Sequence, residues 1–233
     1  MKQILAILFL GAGWHMGQAQ ITAAAPVGPG DLTGNWVAII NEDWRYRMLV
    51  PAKGDFAGVP LNEAGRKVAG QWDAAAASSS ASSSGDKCAA YGAAALLRMP
   101  TRLRISQESE NILKLETDAG LQTRRLLFNK TPPSGPRTLQ GHSVAEWQRG
   151  GVLKVVTNHL SGGLLRRNGV AYSENAVVTE YFDRFRSASN TDWFVVTTIV
   201  DDPAYLSQPF ITSTQFRKEA NAEHWRPEAC DAR

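Results

Sequence analysis

Soft metal ligands are scarce in this 233-residue chain, which carries two cysteines and four histidines. Neither cysteine has a ligand partner close in sequence. His142, His159 and His224 show no i,i+2 or i,i+4 spacing, so the sequence predicts no metal centre. A phosphate-cradling glycine loop and a dinucleotide fingerprint are missing too, and no cofactor is expected. Charge of one sign is also lacking: 25 Lys and Arg stand against 22 Asp and Glu, a formal net charge of +3. An excess this small and this evenly spread leaves no electrostatic footprint for nucleic acid.

Long apolar runs are absent after the first nineteen residues. Within residues 1–19, Lys2 supplies a positive start, "ILAILFLGAGW" a short apolar core, and "GQA" small residues before a cleavage point after Ala19. That is the pattern of a secretory signal peptide. The apolar core falls short of the roughly 20 residues a membrane span requires. The expectation is an exported protein, periplasmic or secreted, with no membrane span and a mature net charge of about +2 once Lys2 is removed. No pattern in the chain specifies an oligomer.

Export gives the two cysteines a meaning. An even count in an oxidising compartment favours a disulfide between Cys88 and Cys230, with two separate buried thiols as the alternative. Such a bridge ties the C-terminal tail to the middle of the chain.

What remains is a chain with 43% hydrophobic residues, enough for one cored domain. Residues 20–30 read as an irregular leader, 31–218 as a β-barrel domain, and 219–233 as the tail that the disulfide holds. From Asp31 to Val50 the chain looks extended. In "WRYRM", Trp44, Tyr46 and Met48 share one parity and Arg45 and Arg47 the other, the period of a half-buried strand. A helical and Ala/Ser-rich insertion covers 61–98. There Asn62 is a candidate N-cap, with Leu61, Ala64, Val68 and Trp72 at helical spacing. "DAAAASSSASSSGD" follows as a flexible low-complexity stretch. "KCAAYGAAALL" is expected to be a short helix or an ordered loop.

After Pro100 short strand candidates alternate with turns: "TRLRISQE", "ILKLETD", "LQTRRLLF", "SVAEWQ", "LKVVTN", "NAVVTEYFDRF", "TDWFVVTTIV" and "PFITSTQFRK". With two near the N-terminus they number about ten. Such a series closes most simply into one antiparallel up-and-down barrel, which removes exposed edges.

"GNW" at the first strand, followed by a strand meander, resembles the lipocalin and calycin-type barrels. The resemblance implies that Trp36 sits at a barrel floor with a basic residue of the last strand, Arg217 in "TQFRK", packed over it. "DLTGNWV", "EDWRYRM", "GHSVAEW" and "NGVAYSENAVVTEYFDRF" together resemble a group of exported bacterial proteins. That resemblance implies one domain and export, and it brings no reaction with it.

Strand parity locates candidate chemistry. In "VVTEYFDRF", Val178, Glu180, Phe182 and Arg184 share one face, and Val177, Thr179, Tyr181, Asp183 and Phe185 the other. Whichever face is interior carries a carboxylate inward, Glu180 or Asp183. "TRRL" likewise sends Arg124 or Arg125 inward. A buried carboxylate needs a cation and hydrogen bonds, so a structural ion pair is the plain reading. The sharper one is a polar lumen in which Glu180 orients a ligand or acts as general base, with Asp201 as a second candidate base. "IVDDPAYLSQPF" holds Tyr205 and Phe210 on a stiff connection, although Asp201 and Asp202 also suit turn formation. "NHLSGGLLRRNGVAYS" offers Arg166 and Tyr172 on another long connection. Ser143 in "GHSVA" lacks the glycine that a nucleophile elbow requires where Ala145 stands.

Seven tryptophans are many for this length. Lumen aromatics would suit a flat apolar ligand held by a few polar groups. The sequence therefore points to a binding protein for a small apolar or aromatic molecule. Its expected ligand-binding residues are Trp44, Tyr46, Arg124, Arg125, His142, Trp147, Arg166, Tyr172, Glu180, Tyr205 and Phe210. A lyase or isomerase using Glu180 or Asp201, and a structural envelope protein with a filled barrel, are the alternatives.

Overall fold

A computed structural model describes residues 30–79 and 87–231. The expected signal peptide, residues 20–29 of the leader and residues 80–86 of the serine-rich run lie outside the described residues. The protein is mainly β. In chain order the strands are β1 (Gly34–Ile39), β2 (Arg102–Ser109), β3 (Ile112–Thr117) and β4 (Thr123–Leu127). After these come β5 (His142–Trp147), β6 (Leu153–Asn158), β7 (Gly163–Arg166) and β8 (Val170–Tyr172). The last three are β9 (Val177–Arg186), β10 (Asp192–Asp201) and β11 (Phe210–Glu219). Nine of them close a barrel in the order β1-β11-β10-β9-β6-β5-β4-β3-β2, with β2 pairing back onto β1. The closed form is consistent with a calycin-like barrel. β7 and β8 form a separate hairpin.

One expected strand is missing, and the loss has a topological consequence. "WRYRM" is a short helix, α1 (Trp44–Met48), entered through Asp43 in the left-handed region at φ 51°. Aspartate tolerates that conformation better than most residues. Alternating strand directions around a closed ring need an even number of strands, so nine strands force a parallel pair. That pair is β4 and β5, where Leu126 faces Ser143 and Leu127 faces Val144. Residues 128–141, with Pro132, Pro133 and Pro136, carry the chain back to the same end, as a parallel pairing demands. The meander is antiparallel at its other eight seams.

The insertion between β1 and β2 packs on the outside. α2 (Glu63–Gln71) starts as expected, with the Asn62 side chain accepting from Gly65 N at 2.9 Å. Its buried face is Gly65 and Ala69 rather than Ala64, because the Tyr205 backbone carbonyl lies directly over Gly65. Part of the Ala/Ser stretch is ordered: α3 (Ala74–Ser78) is capped by Asp73, which accepts from Ala75 N at 2.8 Å. "KCAAYGAAALL" makes two short 3-10 turns, Ala89–Tyr91 and Leu96–Arg98. The bridge between Cys88 and Cys230 pins the first of them to the tail.

Inside the barrel, one end is filled by Trp36, Phe182, Phe194 and Phe216 with Leu103, Leu115 and Leu153. Fully burying side chains of this kind contributes about 1.5–3 kcal/mol each. The Trp36 and Phe194 rings meet edge to face, 4.6 Å between centroids, and Trp36 Nε1 donates to the Leu32 carbonyl at 2.9 Å. The basic residue over Trp36 is Lys218, 5.3 Å from the ring, and not Arg217. In β11 the inward set is Phe210, Thr212, Thr214 and Phe216, so Lys218 shares their face and Arg217 points out. A second apolar cluster closes the other end, where Val178, Val200 and Phe210 meet Leu160, Val170 and Tyr172 from the β7–β8 region.

Candidate functional site

Strand pairing decides which doublet members enter the barrel. β9 buries Val178, Glu180 and Phe182 and leaves Asp183 exposed. β4 buries Arg124 and Leu126, while Arg125 lies outside, bonded to Glu108 at 2.6 and 3.0 Å. Arg124 reaches over β5 and β6 to Glu180, with Nη1 donating to Oε1 at 3.0 Å and Nη2 to Oε2 at 2.7 Å. Nη2 also meets Thr157 Oγ1 at 3.1 Å, which in turn pairs with Ser143 Oγ at 2.8 Å. Both charged side chains have 0% exposure. Thr198 and Thr214 extend this polar layer around the wall, since Glu180 faces Thr198 and Val196 faces Thr214.

The layer separates the two apolar clusters, and among the described residues Arg124 Nε and Thr214 Oγ1 within it have no hydrogen-bond partner. Tyr172 plugs the lumen from the hairpin side. Among the described residues its hydroxyl has no hydrogen-bond partner; it lies against the backbones of Gly92 and Gly163 and is pushed well above the usual tyrosine range by burial.

The remaining expected site residues scatter, because they belong to elements that pack on different faces. Asp201 is exposed at the end of β10, outside the lumen; the buried neighbour is Asp202, whose carboxylate accepts from Ser173 N and Oγ at 2.6 and 2.7 Å. His142 is half-buried on the outward face of β5, with Nε2 at 2.8 Å from the Thr131 carbonyl. Tyr205 sits in a turn and offers its carbonyl to Asn62 N. Trp44 is 58% exposed on α1. Among the described residues no group of three or more His, Cys, Asp and Glu could hold a metal ion. Among them, too, no helix is long and apolar enough to cross a membrane.

Two places do gather binding chemistry. The first is a cleft of about 310 Å³ at the Trp36 end of the barrel. Trp147, the last inward residue of β5, stacks on Phe128 with centroids 6.2 Å apart, and Leu113 continues that wall. Asp31, Gln107 and Glu110 stand at its rim. The Asp31 carboxyl is held below its usual range: burial raises its pKa, but hydrogen bonds from Thr33 and the charges of Lys218 and Arg184 outweigh that. Sequence reading reached Trp147 through its strand position. It missed Phe128, which lies just past β4, and the rim, which comes from the segment before β1, the end of β2 and the β2–β3 turn.

The second is a cluster of arginines outside the barrel under α1. Arg47, Arg98 and Arg166 are all buried there. Arg47 Nε donates to the Arg98 carbonyl at 2.9 Å and its Nη1 contacts Glu42, while Arg98 Nη2 meets Asp43 at 3.0 Å. The Arg166 guanidinium lies 3.9 Å over the Tyr46 ring and Nη1 donates to the Ala57 carbonyl at 2.7 Å. Arg98 in turn covers the ring of Phe210 at 5.7 Å. Of the expected ligand residues, Tyr46 and Arg166 therefore meet here and not in the lumen, and Phe210 touches the cluster from the inward face of β11. The strand reading of "WRYRM" hid this cluster, since it placed Arg47 on the face opposite Tyr46.

Compared with known proteins, the chain matches no protein-family model and no curated protein.

Proposed function

We propose that this is an exported binding protein of lipocalin-like build that holds a small aromatic or apolar molecule at the Trp36 end of its barrel. The observation that carries the reading is the cleft of about 310 Å³ walled by the stacked Phe128 and Trp147 rings. A flat ligand can extend that stack, and aromatic pairs of this kind are worth about 0.5–1.5 kcal/mol beyond simple burial. The carboxylates of Asp31 and Glu110 with the Gln107 amide favour a ligand bearing an N–H or O–H donor. A site at the barrel end is the natural one, because the Arg124–Glu180 layer occupies the centre.

The same layer argues against a lumen base. Both Glu180 oxygens are engaged by one guanidinium. The mutual pairing of Arg124 and Glu180 supports a structural role as the second reading, which the following experiment separates from binding.

N-phenyl-1-naphthylamine, a neutral aromatic amine, is titrated into the protein and its fluorescence enhancement followed. Saturable binding is expected, weakened about tenfold by Trp147→Ala and by Phe128→Ala and unchanged by Trp193→Ala. No saturable enhancement, together with no retained molecule in native mass spectra of protein purified from its own host, would leave the filled-barrel structural role.

A further inference from the structure

The arginine cluster under α1 holds more positive charge than its carboxylates balance. Arg47 has Glu42 and Arg98 has Asp43, but among the described residues no carboxylate lies within ion-pair distance of Arg166. Asp43 and Asp55 act on Arg166 only at longer range, and each is already bonded to another arginine, Arg98 and Arg45. A buried charge without a partner is costly, and proteins keep one where something supplies the opposite charge.

The hydrogen-bond inventory points the same way. Among the described residues Arg47 Nη2, Arg98 Nη1 and Arg166 Nε are buried nitrogens with no acceptor, and Glu42 Oε2 beside Arg47 is a buried oxygen with no donor. The three side chains that carry them line one small cavity of about 20 Å³, together with Arg167, Leu165 and Met99. Three side chains with an unused donor, one of them without an ion-pair partner among the described residues, thus line a space the size of a single small ion. Desolvation weighs against the charged forms of Arg47 and Arg166, and the charge of Arg98 adds to it. A bound anion would relieve both.

We propose that this cavity is a binding site for a small monovalent anion, either a free halide or one oxygen of a carboxylate. It is separate from the aromatic cleft and uses no residue of it. The anion ties α1, the Leu96–Arg98 turn and the β7–β8 hairpin together through three guanidinium groups.

Full-length mature protein is exchanged into a buffer whose anion is gluconate, too large for the cavity, and sodium bromide or sodium formate is then added. A saturable rise in Tm of about 2–4 °C is expected at about five times the dissociation constant. Arg166→Gln should abolish that rise, and Arg217→Gln, at an exposed position, should keep it. Saturation by bromide identifies a halide site; saturation by formate alone identifies a carboxylate site, and either supports the proposal. Bromide anomalous diffraction from the unaltered protein gives a readout that does not depend on the variant folding. A peak between Arg47, Arg98 and Arg166 is expected. A cavity holding only water, or a salt effect equal for wild type and Arg166→Gln, would overturn the assignment.

Discussion

Arg124 and Glu180 are joined by two hydrogen bonds although they stand 56 positions apart in sequence and two strands of the barrel, β5 and β6, lie between them. Ser143 and Thr157, on those two strands, line the path the guanidinium takes. Removing either partner strands a buried charge. Arg124→Met or Glu180→Gln alone should cost about 3–5 kcal/mol in urea unfolding. Arg124→Met combined with Glu180→Leu should recover most of that loss. Single-variant losses below about 1 kcal/mol would contradict the buried geometry.

Trp36 anchors one end of the barrel. Truncation to alanine should cost about 3–5 kcal/mol, since a fully buried aromatic is lost and Phe194 loses its edge contact. Trp36→Phe keeps most of the packing and removes the bond to the Leu32 carbonyl, so about 1 kcal/mol is expected. Chemical denaturation of both variants separates packing from hydrogen bonding.

The Cys88–Cys230 bridge spans 142 residues, and the chain-entropy model gives about 5 kcal/mol for a loop of that length. Cys88→Ala with Cys230→Ala should lower stability by about 2–5 kcal/mol. Hydrogen exchange should rise first at Gly120, whose amide donates to Glu228 of the tethered tail. An unchanged melting curve after the double substitution would show that the tail is held by its other contacts, including Arg104 over Trp225 at 4.4 Å.

Asp192 gives a pH dependence with a definite sign. Burial raises its pKa, but hydrogen bonds from Arg186 and Arg184 outweigh this and leave the carboxyl below its ordinary value. A depressed folded-state pKa means stabilisation present above the unfolded value of about 3.9 and lost as pH falls through the folded value. Asp192→Asn should therefore be less stable than wild type at pH 7, with the gap closing below about pH 4. A gap that persists at pH 2 would assign the effect to something other than this charge.

How far the residues alone carry this protein is clearest in β9. Alternation in "VVTEYFDRF" shows that one face holds Glu180 with Phe182 and the other holds Asp183 with Tyr181. Parity is a property of the local backbone, so the sequence settles it. Which face is interior depends on the pairing with β6 and β10, and only the assembled barrel selects Glu180. The same holds for Arg124 over Arg125.

The cysteine pairing was legible because two cysteines admit one bridge. Asn62 as a helix cap was legible because capping is local. "WRYRM" was not legible, since five residues satisfy a period of 2.0 about as well as one of 3.6. Its helix is stabilised by partners far away in sequence, among them the Arg98 carbonyl that Arg47 meets. The parallel β4–β5 seam was hidden for a related reason. It follows from counting nine strands around a closed ring, a global constraint that no stretch of residues between turns expresses. The arginine cluster depends on α1 and on the β7–β8 hairpin packing side by side, so it belongs wholly to the tertiary structure. Local periodicity and residue chemistry determined the strands and their two faces; closure of the chain on itself decided which charges were buried together.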